Sequence, residues 1–111
     1  MERFVKGDIV VATFPFSDLS ATIKRPALVL ANPKGNALIL CQITAQSKQG
    51  IEQIPLSNKD LASGNLKINS YIRPAIITTI HVSKIKYKFG SLGQTKLNEV
   101  IIKVKEIIEK Y

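Results

Sequence analysis

The chain has 111 residues, of which 45% are hydrophobic and 22% charged, which predicts one domain, residues 1–111, with its own hydrophobic core. Sixteen lysines and arginines against eight acidic residues give a formal net charge of +8. That charge is typical of proteins attracted to phosphate backbones, membrane surfaces or acidic partners, although a merely lysine-rich surface gives the same number. One cysteine excludes an intrachain disulfide, and one cysteine with one histidine cannot form the usual zinc ligand sets.

The start of the chain and its apolar runs bear on its location. Residues 1–6 are charged and no apolar signal region follows them. No uninterrupted apolar run reaches the length of a membrane span. We therefore expect a soluble cytoplasmic protein that uses no metal and no other cofactor.

The first predicted elements are a strand and a polar loop. Residues 9–14 are β-branched and aromatic, as strands are, and Pro15 ends the strand because it has no backbone N–H for a central ladder. Residues 17–24, SDLSATIK, form a loop that either carries binding contacts or is a plain connector.

Two apolar runs, residues 27–31 and 37–43, are separated by the turn-forming residues 32–36. They predict a β-hairpin, with Cys41 as a small core residue. Arg25 enters the hairpin and Thr44 leaves it. The ends of an antiparallel pair lie close together, so we expect a cation and a hydroxyl at one edge.

The rest of the chain predicts shorter elements and one long helix. A polar loop at 45–50 precedes a short strand at 51–56, and residues 57–64 predict one or two helical turns between Ser57 as N-cap and Gly64 as the stop. Two further strands are expected at 75–82 and 85–89, with a break at 90–93.

Residues 94–110 carry apolar side chains at helical spacing and predict an amphipathic C-terminal helix. Five or six short strands followed by one helix indicate a mainly β (α+β) fold, a small barrel with a short internal helix. Lys84, Lys86 and Lys88 are expected on one face, either as solvated edge protection or as part of a phosphate-facing patch.

Several familiar catalytic sites are poorly supported by the sequence. It contains neither a Gly-rich phosphate loop nor closely paired carboxylates, and the only histidine, His81, lies in a predicted strand where a structural role is expected. Arg25 and Arg73 remain, each followed by proline, which biases the preceding residue toward extended backbone. Taken alone, each Arg-Pro pair is more typical of a structural role than of a functional one. Together, near the hydroxyls of Thr44, Ser47 and Ser70, they suit a phosphate site.

The segments KGDIVVATF, KRPALVLAN, LILCQITAQS and SYIRPAIITTI, followed by the terminal helix, resemble the MazF/PemK family of toxins over nearly the whole chain. The resemblance implies an SH3-like barrel, a homodimer and metal-independent, sequence-specific cleavage of single-stranded RNA. It also implies a partner antitoxin whose acidic C-terminal segment covers the RNA site.

Residue by residue, Arg25 matches the catalytic arginine of the family, Thr44 its catalytic threonine and Arg73 a second arginine that some members use. Two positions depart from the family pattern. Many members have an acidic residue shortly before the Arg-Pro pair, where this chain has Thr22, Ile23 and Lys24. Some have an aspartate two residues after the second arginine, where this chain has Ala75, so that general base is not available.

The expected reaction uses the 2′-OH of RNA as nucleophile, with Arg25 and Arg73 as phosphate clamps and Thr44 as an orienting group. The loops 17–24 and 45–50 are expected to hold bases by hydrogen bonds. The RNA-binding residues predicted there are Asp18, Ser20, Lys24, Ser47 and Lys48. The alternatives are a non-catalytic nucleic-acid-binding barrel, favoured by Ala75, and a structural homodimer whose basic surface serves only an acidic protein.

Overall fold

A seven-stranded antiparallel sheet forms most of the computed structural model, which describes residues 3–15, 22–33 and 35–111. The strands are β1 (Asp8–Pro15), β2 (Thr22–Ala31), β3 (Ala37–Thr44), β4 (Ile54–Leu56), β5 (Leu61–Gly64), β6 (Ser70–His81) and β7 (Ile85–Leu92). Their order across the sheet is β4-β6-β3-β2-β1-β7-β5. The mainly β prediction is confirmed: the sheet curls into a half-barrel followed by one C-terminal helix.

The two faces of the sheet bury different side chains because successive residues of a strand point to opposite faces. The face covered by the C-terminal helix, called here the helix-side face, buries Ile9, Leu28, Cys41, Ile43 and Ile72. The opposite face, called the far face, buries Val10, Ala12, Ala27, Val29, Leu38, Leu40 and Ile80. Each central strand therefore contributes to both clusters, which explains its nearly continuous apolar sequence.

The central hairpin is confirmed. Strands β2 and β3 pair antiparallel, with Leu28 opposite Cys41. Cys41 is 1% exposed, as expected of a core thiol. Burial raises its pKa from the ordinary 9.0 to about 12, because the thiolate would be desolvated.

The prediction for residues 57–64 is partly wrong. Ser57 does begin a short 3-10 helix, Asn58–Asp60, and its N–H donates to the Asp60 carboxylate at 2.9 Å. Residues 61–64 then form strand β5 instead of continuing the helix. Gly64 has φ +87°, and a Cβ built there would lie 2.1 Å from the carbonyl oxygen of Phe89. Gly64 is thus required by the close pairing of β5 with β7, and it does not end a helix.

The predicted break at 90–93 is also wrong in part, because strand β7 continues to Leu92. Gly90 lies against the backbone of β5 and lacks the side chain that would separate the two strands. The strand predicted at 75–82 begins earlier, at Ser70, and the one predicted at 51–56 is shorter, Ile54–Leu56.

The C-terminal helix α1 (Gln94–Lys110) has the predicted bounds. Leu97 and Val100 are buried in the helix-side cluster, and Ile101 and Val104 pack against it. Ile108, at the end of the predicted apolar stripe, is 69% exposed, so only the first half of the stripe is buried. No helix of the described residues is long and apolar enough to span a membrane.

Candidate active site

Arg25 and Thr44 lie on neighbouring strands. Strand pairing places Ala27 opposite Gln42, and extending that register by two residues places Arg25 opposite Thr44. Arg25 lies two residues before Ala27, and Thr44 lies four residues after Leu40. Ala27 and Leu40 are buried on the far face, so Arg25 and Thr44 belong to that face as well. Both are half-buried. The cation and hydroxyl predicted at one edge of the hairpin are therefore brought together.

Arg73 reaches the same face from β6, the other neighbour of β3. It lies directly opposite Gln42, whereas Ile77 lies opposite Cys41. One step along β3 thus matches four along β6, and residues 74–76 form a bulge. Proline is tolerated at a bulge because it has no N–H to donate to the ladder, and Pro74 is fully buried there. The Arg-Pro pair therefore fixes the backbone that carries Arg73.

The backbone of Gln46 joins Thr44 to Arg73. Its N–H donates to Oγ1 of Thr44 at 3.2 Å, and its carbonyl oxygen accepts from Nη2 of Arg73 at 3.1 Å. Because the Thr44 oxygen is the acceptor in the first bond, its own O–H remains able to donate to a ligand. The remaining Nη hydrogens of Arg73 are likewise suited to an anion.

Gln42 occupies the centre of this group, between Ala27 on one side and Arg73 on the other. Its Oε1 and the Nε of Arg73 are both buried without a hydrogen-bond partner in the described part of the chain. We refer to Arg25, Gln42, Thr44 and Arg73 as the far-face cluster. The cluster contains two guanidinium groups, a hydroxyl and an amide, a set suited to binding a phosphate and its neighbouring groups.

Sequence reasoning missed Gln42 and Gln46. Gln42 is the one polar residue within the apolar run 37–43, and it has the same parity as Thr44 along β3. That polarity was the available signal. Gln46 acts through its backbone, which no side-chain pattern reveals.

The predicted RNA-binding residues are divided by the structure. Ser47 and Lys48 are exposed on the loop after Thr44, and Gln53 holds that loop. Gln53 donates from Nε2 to Ser47 Oγ at 2.8 Å and accepts from the Lys48 N–H at 3.2 Å. Ser47 and Lys48 directly follow Gln46, whose backbone bonds to Thr44 and Arg73 of the far-face cluster. Asp18 and Ser20 lie outside the described residues.

Lys24 does not join the cluster. It is exposed opposite Thr13 of β1 and alternates with Arg25 along β2, so it belongs to the helix-side face. A pocket of about 360 Å³ lies on that face, lined by residues that include Val11, Pro26, Ile43 and Tyr87. The pocket is thus separated from the cluster by the thickness of the sheet.

The other candidate groups have structural partners. Nδ1 of His81 accepts from the Ser83 N–H at 3.0 Å, which supports the structural interpretation of this residue. Ala75, the position where some family members have aspartate, is exposed on the β6 bulge.

Several carboxylates of the described residues form salt bridges with lysines, such as Asp8 with Lys88 at 3.2 Å and Glu52 with Lys103 at 3.7 Å. None of these salt bridges involves Arg25 or Arg73. Among residues 3–15, 22–33 and 35–111, no three histidine, cysteine, aspartate or glutamate side chains are grouped as metal ligands. The cluster is therefore a cationic site in which the described residues provide no carboxylate partner.

Residues 5–108 match the family model of the PemK-like, MazF-like toxins of type II toxin–antitoxin systems. The chain belongs to this family. MazF/PemK toxins are endoribonucleases, and this toxin is an endoribonuclease of a type II toxin–antitoxin system. No curated protein matches the toxin by sequence.

Solved structures that share the fold of the toxin include the following two. One is the Mycobacterium tuberculosis toxin MazF-mt6, with 19% sequence identity, a TM-score of 0.67 and coverage of 89% of this chain and 92% of that chain. The other is an endoribonuclease in complex with its cognate antitoxin from Mycobacterial species, with 11% identity, a TM-score of 0.67 and coverage of 96% of both chains. At these identities the likeness concerns the fold.

Proposed function

We propose that this toxin cleaves single-stranded RNA at specific short sequences without a metal ion, with the far-face cluster as its active site. The observation that supports this most directly is the convergence of Arg25, Thr44 and Arg73 from three adjacent strands, with Thr44 and Arg73 joined through Gln46. Two cations beside a hydroxyl match the needs of a phosphate that gains negative charge during reaction.

In the proposed reaction the 2′-oxygen of one nucleotide attacks the adjacent phosphorus, and the bond from phosphorus to the 5′-oxygen of the next nucleotide breaks. The products are a 2′,3′-cyclic phosphate and a free 5′-hydroxyl. Arg25 and Arg73 stabilise the pentacoordinate phosphorane. Arg25 also donates a proton to the departing 5′-oxygen and then regains one from water, so that its charge is restored. The hydroxyl of Thr44 is a poor base, so we assign it no proton transfer. Instead, Thr44 orients the 2′-OH or a phosphoryl oxygen. With Ala75 in place of an aspartate, we expect the 2′-OH proton to leave to water.

The proposed partners follow from charge and family. The net charge of +8 suits both RNA and an acidic polypeptide. We propose that a cognate antitoxin inhibits the toxin by laying an acidic C-terminal segment across the far-face cluster, Ser47 and Lys48. We further propose that the toxin acts in the cytoplasm as a homodimer. One structural neighbour is itself in complex with its antitoxin, which supports an antitoxin as a partner of this toxin.

Arg25→Ala is the decisive variant. We expect it to reduce cleavage of single-stranded RNA by about a hundredfold or more, while EDTA leaves the unmodified toxin fully active. Arg3→Ala, which removes an exposed arginine outside the cluster, is the matched control and should cleave normally. Cleavage by Arg25→Ala at the normal rate would show that the site lies elsewhere, and strong inhibition by EDTA would exclude a metal-free reaction.

A second candidate function is RNA binding without cleavage. The alanine at position 75, in place of a possible general base, is the observation that favours it. The same assay separates the two functions, since the non-catalytic toxin would retain RNA on a filter and leave every chain intact.

A further inference from the structure

Gln42 and Arg73 are direct cross-strand partners on the far face. Side chains opposite each other in an antiparallel pair have Cβ atoms about 4.5–5.5 Å apart, well within reach of a glutamine and an arginine. Among the described residues, Gln42 Oε1 is a buried acceptor without a partner, and the buried Nε–H of Arg73 likewise has no partner. The two unsatisfied atoms are therefore complementary and belong to adjacent side chains.

Burying both groups unpaired is unfavourable, because each loses its hydrogen bonds to water without replacing them. The other neighbour of Gln42 across β3 is Ala27, whose methyl group offers no hydrogen bond. Cross-strand partners with side chains as long as glutamine and arginine can bring such atoms together by rotation about their side-chain bonds. Arg25 is the diagonal neighbour, at a longer Cβ distance of about 7–8 Å.

We propose that Gln42 is the positioning residue for Arg73, accepting a hydrogen bond from its Nε–H. This inference rests on the proposed function for its consequence, although the hydrogen bond itself can be tested without RNA. With Nε held by Gln42 and one Nη2 hydrogen held by the Gln46 carbonyl, the plane of the guanidinium is fixed at two points. The Nη1 group and the second Nη2 hydrogen then remain for the substrate phosphate.

The direct test measures how fast the arginine Nε–H exchanges with water, by ¹H–¹⁵N NMR on the 111-residue toxin. The chain has only three arginines, so the signal of Arg73 is the one that Arg73→Lys removes. We expect this signal to exchange at least about tenfold faster in Gln42→Met, which keeps the length of the side chain and lacks the acceptor. Gln42→Glu keeps an acceptor and should restore slow exchange.

The matched control is Gln94→Met, the same substitution on the exposed first turn of α1. It should leave all three arginine signals unchanged. Unaltered exchange of the Arg73 signal in Gln42→Met would overturn the proposal, and so would an effect confined to the Arg25 signal. If Gln42→Met fails to fold, Gln42→Leu gives the same comparison.

The consequence for catalysis is tested separately. Gln42→Met should lower kcat/KM for a cleaved RNA about tenfold in the normal toxin, as expected for one hydrogen bond to a charged group. It should have no further effect in Arg73→Lys, which retains the charge and has no Nε donor. Equal losses in both backgrounds would show that Gln42 does not act through Arg73. If the proposed function is wrong, Arg25→Ala will cleave RNA normally. That outcome does not affect the NMR test of the hydrogen bond between Gln42 and Arg73.

Discussion

Arg73 donates from Nη2 to the carbonyl oxygen of Gln46 at 3.1 Å. This bond connects the first part of β6 to the loop that follows β3. The N–H of Gln46 is already engaged by the Thr44 hydroxyl, so the loop backbone, the hydroxyl and the guanidinium form one connected unit. A change at any of the three positions is therefore expected to disturb the other two.

Thr44→Val should lower kcat/KM by about a hundredfold, because it removes both the group that orients the substrate and the acceptor for the Gln46 N–H. Thr44→Ser keeps the hydroxyl and should retain activity to within a few fold. Initial rates of cleavage of a fluorescent single-stranded RNA measure both variants. Equal activities for the two would contradict a role for the hydroxyl.

Lys48 and Lys24 are both exposed, but Lys48 lies on the loop that follows Thr44, whereas Lys24 belongs to the helix-side face. Each phosphate contact to a single strand contributes about 0.7 to the slope of log binding constant against log salt concentration. We expect Lys48→Ala to lower the slope by about that amount and Lys24→Ala to leave it unchanged. Binding is measured on 2′-O-methyl RNA, which lacks the attacking hydroxyl and stays intact during the titration.

The reverse outcome, with the slope lowered by Lys24→Ala alone, would show that RNA crosses the helix-side face. The pocket beside Pro26 and Ile43 would then be the place to look for bases.

Gly64→Ala should destabilise the toxin by more than about 2 kcal/mol. Its positive φ alone costs about 1–2 kcal/mol for an L-residue, and the added Cβ would collide with the Phe89 carbonyl oxygen. Gly50→Ala is the matched control, since Gly50 has φ +76° and open space around its Cβ position. Equilibrium unfolding in urea measures the free energy of unfolding of both variants. Equal losses of stability would argue against a close approach of β5 and β7 at Gly64.

Cys41 should be unreactive in the folded toxin. It is 1% exposed, and its raised pKa keeps the thiol protonated at neutral pH. We expect negligible labelling by iodoacetamide at about pH 8 and complete labelling after unfolding in urea, as measured by mass spectrometry. Equal labelling rates with and without urea would show that β2 and β3 separate readily around Cys41.

The same thiol gives a pH dependence of stability. The unfolded thiol ionises near its ordinary pKa of 9.0, whereas the folded thiol does so only near 12. In between, the unfolded chain loses a proton that the folded chain keeps, so stability falls as pH rises, by at most about 1.4 kcal/mol per pH unit. Relative to Cys41→Ala, the free energy of unfolding should be constant below pH 9 and decline above it. A constant difference throughout would contradict the raised pKa.

The sequence alone predicted the features that depend on local pattern. The hairpin of β2 and β3 followed from two apolar runs around a Pro-Gly turn, and α1 followed from apolar residues at helical spacing. Both patterns are short-range, since residues that share a face are close in sequence. Arg25 and Thr44 could be paired for the same reason, because they flank a single hairpin.

Only the tertiary structure decided what depends on strands distant in sequence. Arg73 joins Arg25 and Thr44 because β6 pairs with β3 through a bulge, and Gln42 enters the cluster because that register places it opposite Arg73. Lys24 lies outside the cluster because alternation along β2 places it on the helix-side face. Gly64 and Gly90 looked like stops in the sequence, yet these residues, 26 positions apart, allow β5 and β7 to pair closely. Long-range register carries no local pattern, so these residues acquire their roles only in the folded sheet.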